Sequence, residues 1–493
     1  MTITAAAAAI RFATLGQQSF DHDEAVTAWR VLHPSLGATL NVTAHLERTP
    51  PLYYFLAWLW SKAMGTGQVD LRVLSATFGT LTVPVAFLAG RELASRRAGL
   101  VAAALVAVNP FLVWYSQEAR AYALLVLLTV LGLYLFSRAL RAPSERNLTL
   151  WAIASALALC THYFAVFVVA PETIWLIAVT RPRRRALAAT GMVGAVGLAL
   201  LPLAVLQEGA GRLNGFRATP VLERGLQTAV HFASSVEPQV LARGWIGALQ
   251  LIAGIGEAAL GVAAIALLWR AADRTERRGA AVAAGIGGAA FGVPIALGLA
   301  GFDYVDSRNM IGALAPLLVA AGIACGARRA GRAGLAVAAG ACALSAAVLV
   351  AVSLSPAMQR PDWRQVARAV GPSPGARVLV VPRLGQDPLA YYLRADDFKL
   401  GADPVFTRRV DAVSRGPHVR PPDARFRLVA SRALHGQLWL ERFRSPHPVL
   451  VTPSAVFRMG LAVQHSTALL TGRTFAAAGI SPALRVPGLI RVF

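Results

Sequence analysis

Two adjacent carboxylates, Asp23 and Glu24, follow a short apolar N-terminal stretch, and Pro50-Pro51 and a long series of apolar runs come after them. Charge beside bilayer-length apolar sequence is costly, so such positions are functional candidates by default. A low-dielectric setting raises a carboxyl's pKa toward neutrality, which suits a general base. Glu47 and Glu118 also lie beside apolar segments. Taken singly, each of these acids could equally cap a helix or sit in solvent.

Three further segments bring chemistry to the same places. Tyr115-Ser-Gln-Glu118-Ala-Arg120-Ala-Tyr122 joins two apolar runs with almost no loop. On a helix, Tyr115, Glu118 and Tyr122 would share one face. A mutually neutralising Glu118–Arg120 pair is the plainer account, but a buried pair carries a desolvation cost for little net stability. The segment from Gly301 to Asn309 places Tyr304 and Arg308 just before a run, where an arginine can grip a phosphate with two parallel hydrogen bonds. His162, with Tyr163, occupies another very short turn, where a lone histidine is more often a packing residue than a ligand.

The elements that must position these residues are membrane helices. The 493 residues are 56% hydrophobic and 15% charged, with mean hydropathy +0.54, far from a soluble globular chain. The formal charge of +23 would suggest nucleic acid in a soluble protein. Here the basic residues between the runs fall in short clusters, nearly all arginine, so the charge reads as a topology signal. Cys160, Cys325 and Cys342 lie in apolar sequence, odd in number and without metal-ligand spacing. The N-terminus has neither a basic leader nor a small-residue cleavage site, so no cleavable signal peptide is expected.

Bilayer-crossing runs are expected near Leu71–Gly90, Ala98–Trp114, Ala121–Phe136, Leu148–His162 and Phe164–Val179. Further runs are Ala186–Leu206, Trp245–Trp269, Ala280–Ala300, Ile311–Ala327 and Leu335–Leu354. With the shorter Thr2–Leu15, interrupted by Arg11, they make about eleven helices. Arginine clusters at Arg91, Arg138, Arg183, Arg274 and Arg328 fall in alternate loops, which the positive-inside rule puts in the cytoplasm. The first loop (17–70), Gln207–Gly244, the Arg308 loop and everything after Ser355 then face outward. Within the first loop, Leu52–Met64 is too short to span and reads as an interfacial helix, with Tyr53, Tyr54, Trp58 and Trp60 suited to headgroup level. From Ser355 the composition changes: Asp362–Val370 and Asp387–Arg394 read as helices, Arg377–Pro382 and Arg425–Ala430 as strands. The expected architecture is an all-α polytopic membrane domain, 1–354, followed by a small α/β extracytoplasmic domain, 355–493.

SFDHDEAVTAWRVL, ERTPPLYYFLAWLW, LRVLSATFGTLTVPVAFLAGREL and NPFLVWYSQEARAYALLVL, with THYFAVFVV, DSRNMIGALAP and RPDWRQVARAV, together resemble one family. They are similar to polyprenyl-phosphate-dependent glycosyltransferases of the GT-C superfamily. The closest likeness is to glycosyltransferase family 39, the group around protein O-mannosyltransferases and lipid A aminoarabinose transferases. The resemblance implies a many-helix fold whose large first outward loop carries juxtamembrane helices and, early on, the acidic catalytic base. Asp23 occupies that position and Glu24 completes the pair. Glu47 and Glu118 stand where further acids approach the site, and Arg120 and Arg308 are the candidates for the donor phosphate. Catalytic roles fall to Asp23, Glu24 and Glu118, and substrate contacts to Glu47, Arg120, Tyr122, His162, Tyr304 and Arg308. Thr2–Leu15 is shorter than the full first span that the family implies.

The expected activity is an inverting transfer of a sugar from a polyprenyl-phosphate donor to a hydroxyl on an envelope glycan, lipid or protein, at the outer face of the cell membrane, without nucleic acid. A divalent cation, Mg or Ca, is compatible with the carboxylates, and no motif demands one. A membrane transporter of a lipid-linked or small solute is the rival from another class. It would show an internal repeat and mid-membrane polar residues, and no convincing repeat is present.

Overall fold

A computed structural model describes residues 1–208, 219–234, 245–371, 377–394, 398–399, 404–435, 438–461 and 465–470. Of the expected outward loop Gln207–Gly244, residues 209–218 and 235–244 lie outside the described set. The chain divides into two units. The first comprises Met1–Leu15, Leu40–Gly65 and Val69–Val352; the second comprises Gly16–Thr39, Thr66–Gln68 and Ser353–Phe493.

The first unit is helical. Among the described residues six helices are long and apolar enough to cross a membrane: Gln68–Leu93, Tyr122–Arg141, Arg183–Glu208, Leu251–Ala271, Arg274–Leu299 and Arg328–Leu354. The run expected over Ala98–Trp114 is instead two helices, Arg96–Val108 and Pro110–Ser116, bent by 60°. Pro110 has no N–H to continue the first helix, and Asn109 caps the second by accepting from Leu112 N at 3.0 Å. Counting that pair as one span gives up to seven by length and composition among the described residues. Four expected spans are shorter helices, Thr2–Phe12, Glu145–Thr161, Val166–Val179 and Leu314–Gly326. At 1.5 Å per residue these fall short of the roughly 30 Å of hydrocarbon. The break expected at His162 is present: its extended backbone ends the Glu145 helix and its Nδ1 accepts from Phe164 N at 3.2 Å, opening a 3-10 turn.

Several polar groups inside this unit find protein partners. Arg11, which interrupts the first apolar stretch, is fully buried and donates to the carbonyls of Ala107 (2.8 Å) and Val106 (3.2 Å) and to Ser116 Oγ (3.2 Å). Helices approach closely where side chains are small: a Cβ on Gly322 would lie 2.6 Å from Ala102 N, and one on Gly326 2.6 Å from Ala98 Cα. Leu52–Met64 is helical as expected, with Pro51 just ahead of it.

The second unit is built on a six-stranded mixed sheet. Its strands are β1 (Arg377–Pro382), β2 (Phe398–Lys399), β3 (Val405–Ser414), β4 (Arg427–Leu434), β5 (Leu438–Val451) and β6 (His465–Leu470), in the order β2-β6-β1-β3-β5-β4. Only the β1–β3 pairing is parallel. β1, RVLVVP, is buried throughout because its alternating side chains feed two cores. Leu379 and Val381 pack with Trp363, Val366 and Val370 of helix Trp363–Val370 and with Leu389 of helix Gln386–Leu393. Val378 and Val380 pack with Val410, Phe443, Val449 and Val456 on the other side. The strand expected at Arg425–Ala430 runs two to four residues later, as β4.

Candidate active site

In the second unit, residues 16–39 of the first loop are tied to the segment after the last span. Tyr392 Oη donates to Gln68 Oε1 at 2.6 Å and accepts from Phe20 N at 2.8 Å, while the Tyr391 ring meets the rings of Phe20 and Trp29 edge-on at 5.1 and 6.3 Å. Ser19 Oγ donates to the Pro361 carbonyl and accepts from Trp363 N, both at 2.9 Å. So framed, Asp21–Ala25 makes a short turn of helix. Asp21 Oδ1 accepts from Glu24 N at 3.1 Å and Glu24 Oε2 from Asp21 N at 3.4 Å, a reciprocal capping box. A π-helix, Val26–Val31, follows, a form that recurs at functional sites.

This turn gives the expected Asp23–Glu24 pair two different surroundings. Glu24 is fully buried, and besides its capping role it pairs with Arg360 Nη1 at 3.0 Å. Arg360 also stands 3.6 Å from Asp21 Oδ2. Asp23 is half-buried, and its carbonyl accepts from Thr27 Oγ1 at 3.1 Å. Burial pushes the Asp21 carboxyl up, reinforced by the charges of Glu24 and Asp23 and opposed by Arg360. Below the turn, Asp387 gathers two cations: His22 Nδ1 at 3.0 Å and Arg30 Nη2 at 2.5 Å. Burial alone would lower the His22 pKa, but the hydrogen bond and charge of Asp387, with Asp23 and Asp21, raise it. Arg360 also lines an open cavity of about 250 Å³ with Gln17, Gln359, Asp362 and His435.

The first unit holds the other candidates. Arg120 grips Glu47 with two parallel bonds, Nη1–Oε1 at 2.7 Å and Nη2–Oε2 at 2.9 Å, both side chains being buried. The guanidinium also lies 5.8 Å from the ring centre of Tyr54. Arg120 thus reaches a carboxylate 73 positions away. The helix Pro110–Ser116 stops before Glu118, and Arg120 N bonds to the Glu118 carbonyl in a turn at 2.8 Å. Tyr115, Glu118 and Tyr122 therefore do not share a helical face, although Tyr115 and Tyr122 still meet edge-on at 4.9 Å. Glu118 is buried. Tyr122 continues to His162, ring centres 6.0 Å apart, and the charges of Arg120 and Arg308 both reach that imidazole.

Arg308 sits in a turn that its neighbour organises: Asp306 Oδ1 accepts from Arg308 N at 3.0 Å and Asp306 Oδ2 lies 3.5 Å from Arg308 Nε. Tyr304 Oη donates to Glu208 Oε1 at 2.6 Å. Gln207 knits the first loop to the spans, its Nε2 donating to the carbonyls of Thr43 (3.1 Å) and Thr49 (3.2 Å) and its Oε1 accepting from Tyr163. Among the described residues no three His, Cys, Asp or Glu side chains meet in a way that could hold a metal ion.

Sequence reasoning missed Arg360, His22, Arg30 and Asp387 as site residues. The signal for Arg360 was its place in RPDW directly after the last span; the others gave none, since Asp387 lies hundreds of residues from its partners. Residues 48–206 match the family model described as dolichyl-phosphate-mannose-protein mannosyltransferase. No curated protein matches the sequence. Among solved structures, ArnT from Cupriavidus metallidurans bound to undecaprenyl phosphate aligns with a TM-score of 0.54 and 14% identity, over 90% of this chain and 97% of that one. The archaeal oligosaccharyltransferase AglB from Archaeoglobus fulgidus, in complex with an inhibitory peptide and a dolichol-phosphate, gives 0.47 and 14%, over 74% of this chain and 57% of that one. The resemblance to GT-C glycosyltransferases is therefore met at two levels: residues 48–206 carry the pattern of the dolichyl-phosphate-mannose-protein mannosyltransferases, and the chain as a whole has the fold of ArnT.

Proposed function

We propose that this protein is a membrane glycosyltransferase that moves a sugar from a polyprenyl-phosphate donor to an acceptor hydroxyl at the outer face of the cell membrane. The observation that carries the reading is the buried Glu47–Arg120 pair, with Glu118, Tyr122 and His162 in the adjoining turns, in a chain with the ArnT fold. A desolvated pair adds little stability over apolar packing, so its retention favours a role in an electrostatic site.

Asp23 is the proposed base. Its carboxylate takes the proton of the acceptor hydroxyl, the freed oxygen attacks the anomeric carbon, and the bond from that carbon to the phosphate oxygen breaks with inversion. The electron pair leaves on the polyprenyl phosphate, an anion that needs a cation more than a proton. Arg308 is the proposed cation, set by the Asp306 turn just before a helix, and Arg120 is the second candidate. Glu24, clamped by Arg360 and the capping box, orients the turn that carries Asp23. Glu118 is the further acid proposed at the site, and Tyr122, His162 and Tyr304 contribute polar edges for donor or acceptor. The envelope acceptor, whether glycan, lipid or protein, supplies the hydroxyl.

The test uses purified protein and a polyprenyl-phosphate-linked sugar, with release of polyprenyl phosphate as the readout. Arg308→Ala is expected to lower turnover strongly and Arg308→Lys to recover only part, since lysine keeps the charge and loses the planar fork. Full turnover in Arg308→Ala removes this residue from the site. Labelling intact cells with an impermeant reagent tests location: a cysteine at Gly416 is expected to react and one at Pro182 is not.

A further inference from the structure

The helix Val221–Ser234 has none of the roles above, yet one of its faces is committed to the segment that ends at Arg308. Arg224, Thr228 and His231 recur at i, i+4 and i+7, on one side of the helix. Arg224 donates through Nη1 to the Val305 carbonyl at 2.8 Å, pairs through Nη2 with Asp303, and donates through Nε to the Thr219 carbonyl at 3.1 Å. One turn on, Thr228 Oγ1 lies 3.3 Å from Ser307 Oγ, and after another turn His231 Nδ1 lies 2.6 Å from the same oxygen. All three side chains are buried, whereas Leu222, Leu226 and Val230 on another face are exposed. Hydrogen bonds, with the buried Phe232 ring against Phe111, therefore decide which face turns inward.

The contacts fall on Asp303, Val305 and Ser307, every second residue, and stop one short of Arg308. The helix is itself anchored. Asn109 Nδ2 donates to the Phe232 carbonyl at 2.8 Å, and the Phe111 ring stacks on His231 with centres 6.4 Å apart. Burial pushes His231 down to about 4, against the opposing charge of Asp306, so the imidazole is neutral near pH 7 and its bond to Ser307 is one between neutral groups.

We propose that the helix Val221–Ser234 is a brace that sets the position of Arg308, with Arg224, Thr228 and His231 as positioning residues for the donor phosphate. The inference rests on the donor role proposed for Arg308. A guanidinium that must meet a phosphate at two nitrogens tolerates little displacement, and its backbone is held on one side by the Asp306 turn and on the other by this helix.

Binding of undecaprenyl phosphate to the purified full-length protein in detergent tests it. His231→Phe keeps the stack on Phe111 and loses the bond to Ser307; it is expected to weaken binding about ten-fold, while His231→Asn, which keeps a polar atom near Nδ1, stays within about two-fold of wild type. In an Arg308→Ala background His231→Phe should add nothing, because its effect passes through Arg308. Independent losses in the two variants would make the helix merely structural and overturn the proposal. So would wild-type binding by His231→Phe alongside weak binding by Arg308→Ala. Wild-type binding by Arg308→Ala overturns the donor reading itself, and the brace with it. Should His231→Phe fail to fold, Thr228→Val, which keeps the side-chain shape, is read by the same criteria.

Discussion

Glu47–Arg120 in the first unit and the cluster around Asp387 in the second are made of the same materials, a carboxylate and an arginine, in opposite solvent. The Glu47 and Arg120 side chains are 5% and 9% exposed, with both guanidinium nitrogens on both carboxylate oxygens. Asp387 is as deeply buried, but its partners His22 and Arg30 are each 33% exposed. The first is a desolvated pair in which losing either member takes the opposite charge from a buried group. The second shares one carboxylate between two cations that water can reach, so losing either leaves Asp387 with a partner. The difference teaches where charge is fixed and where it can change: a fixed pair supplies a constant field, and the wetter turn above Asp387 is where a carboxylate can take up and release a proton.

The hardest test of that division is Asp23→Asn. It keeps the size of the side chain and loses the proton acceptor, so transfer should fall by about 10²–10⁴-fold while the thermal midpoint stays near wild type. A purified variant transferring at the wild-type rate would end the assignment. Next comes Glu47→Ala, which leaves Arg120 buried without the carboxylate that grips both its nitrogens and should cost about 3–5 kcal/mol in a denaturation experiment, much of it recovered in the double variant Glu47→Leu/Arg120→Met. Arg30→Ala in the second unit should cost about 1 kcal/mol or less, because its charge is partly in water and His22 remains. Equal losses in Glu47→Ala and Arg30→Ala would break the comparison.

The smallest effect sharpens it. The folded-state pKa of His22 is raised, so its contribution is fully present below the ordinary value near 6.5 and is lost as pH climbs through the raised one. The difference in thermal midpoint between wild type and His22→Gln should therefore be greatest at about pH 6 and fade at alkaline pH. A difference independent of pH would mean that His22 packs there as a neutral ring.

Much of the architecture was legible in the chain. The apolar runs marked the membrane helices, and the thirteen residues Leu52–Met64 form the short helix their length implied. RVLVVP announced a strand buried on both faces, because the five apolar positions after Arg377 leave no side for water. Local rules carried these elements: hydropathy sets length, and periodicity sets type. Where they failed, a single residue had overruled the run. Pro110 and Asn109 broke a span that hydropathy made continuous.

The candidate site divided along the same line. The types and neighbourhoods of Asp23, Glu24, Glu118 and Arg308 stood in the sequence, including the Asp21-x-x-Glu24 spacing that closes the capping box. Which acid meets which arginine did not. Glu118 is two residues from Arg120, and a tight turn there joins backbone to backbone, yet the guanidinium grips Glu47 73 positions away. Arg360 reaches Glu24 across 336 positions, and Arg224 reaches Asp303 across 79. Sequence determines how much charge must be accommodated near the membrane, since each such residue has a desolvation cost wherever it lies. Only the tertiary structure decides its partner, because a pairing energy falls with distance in space and is blind to distance along the chain.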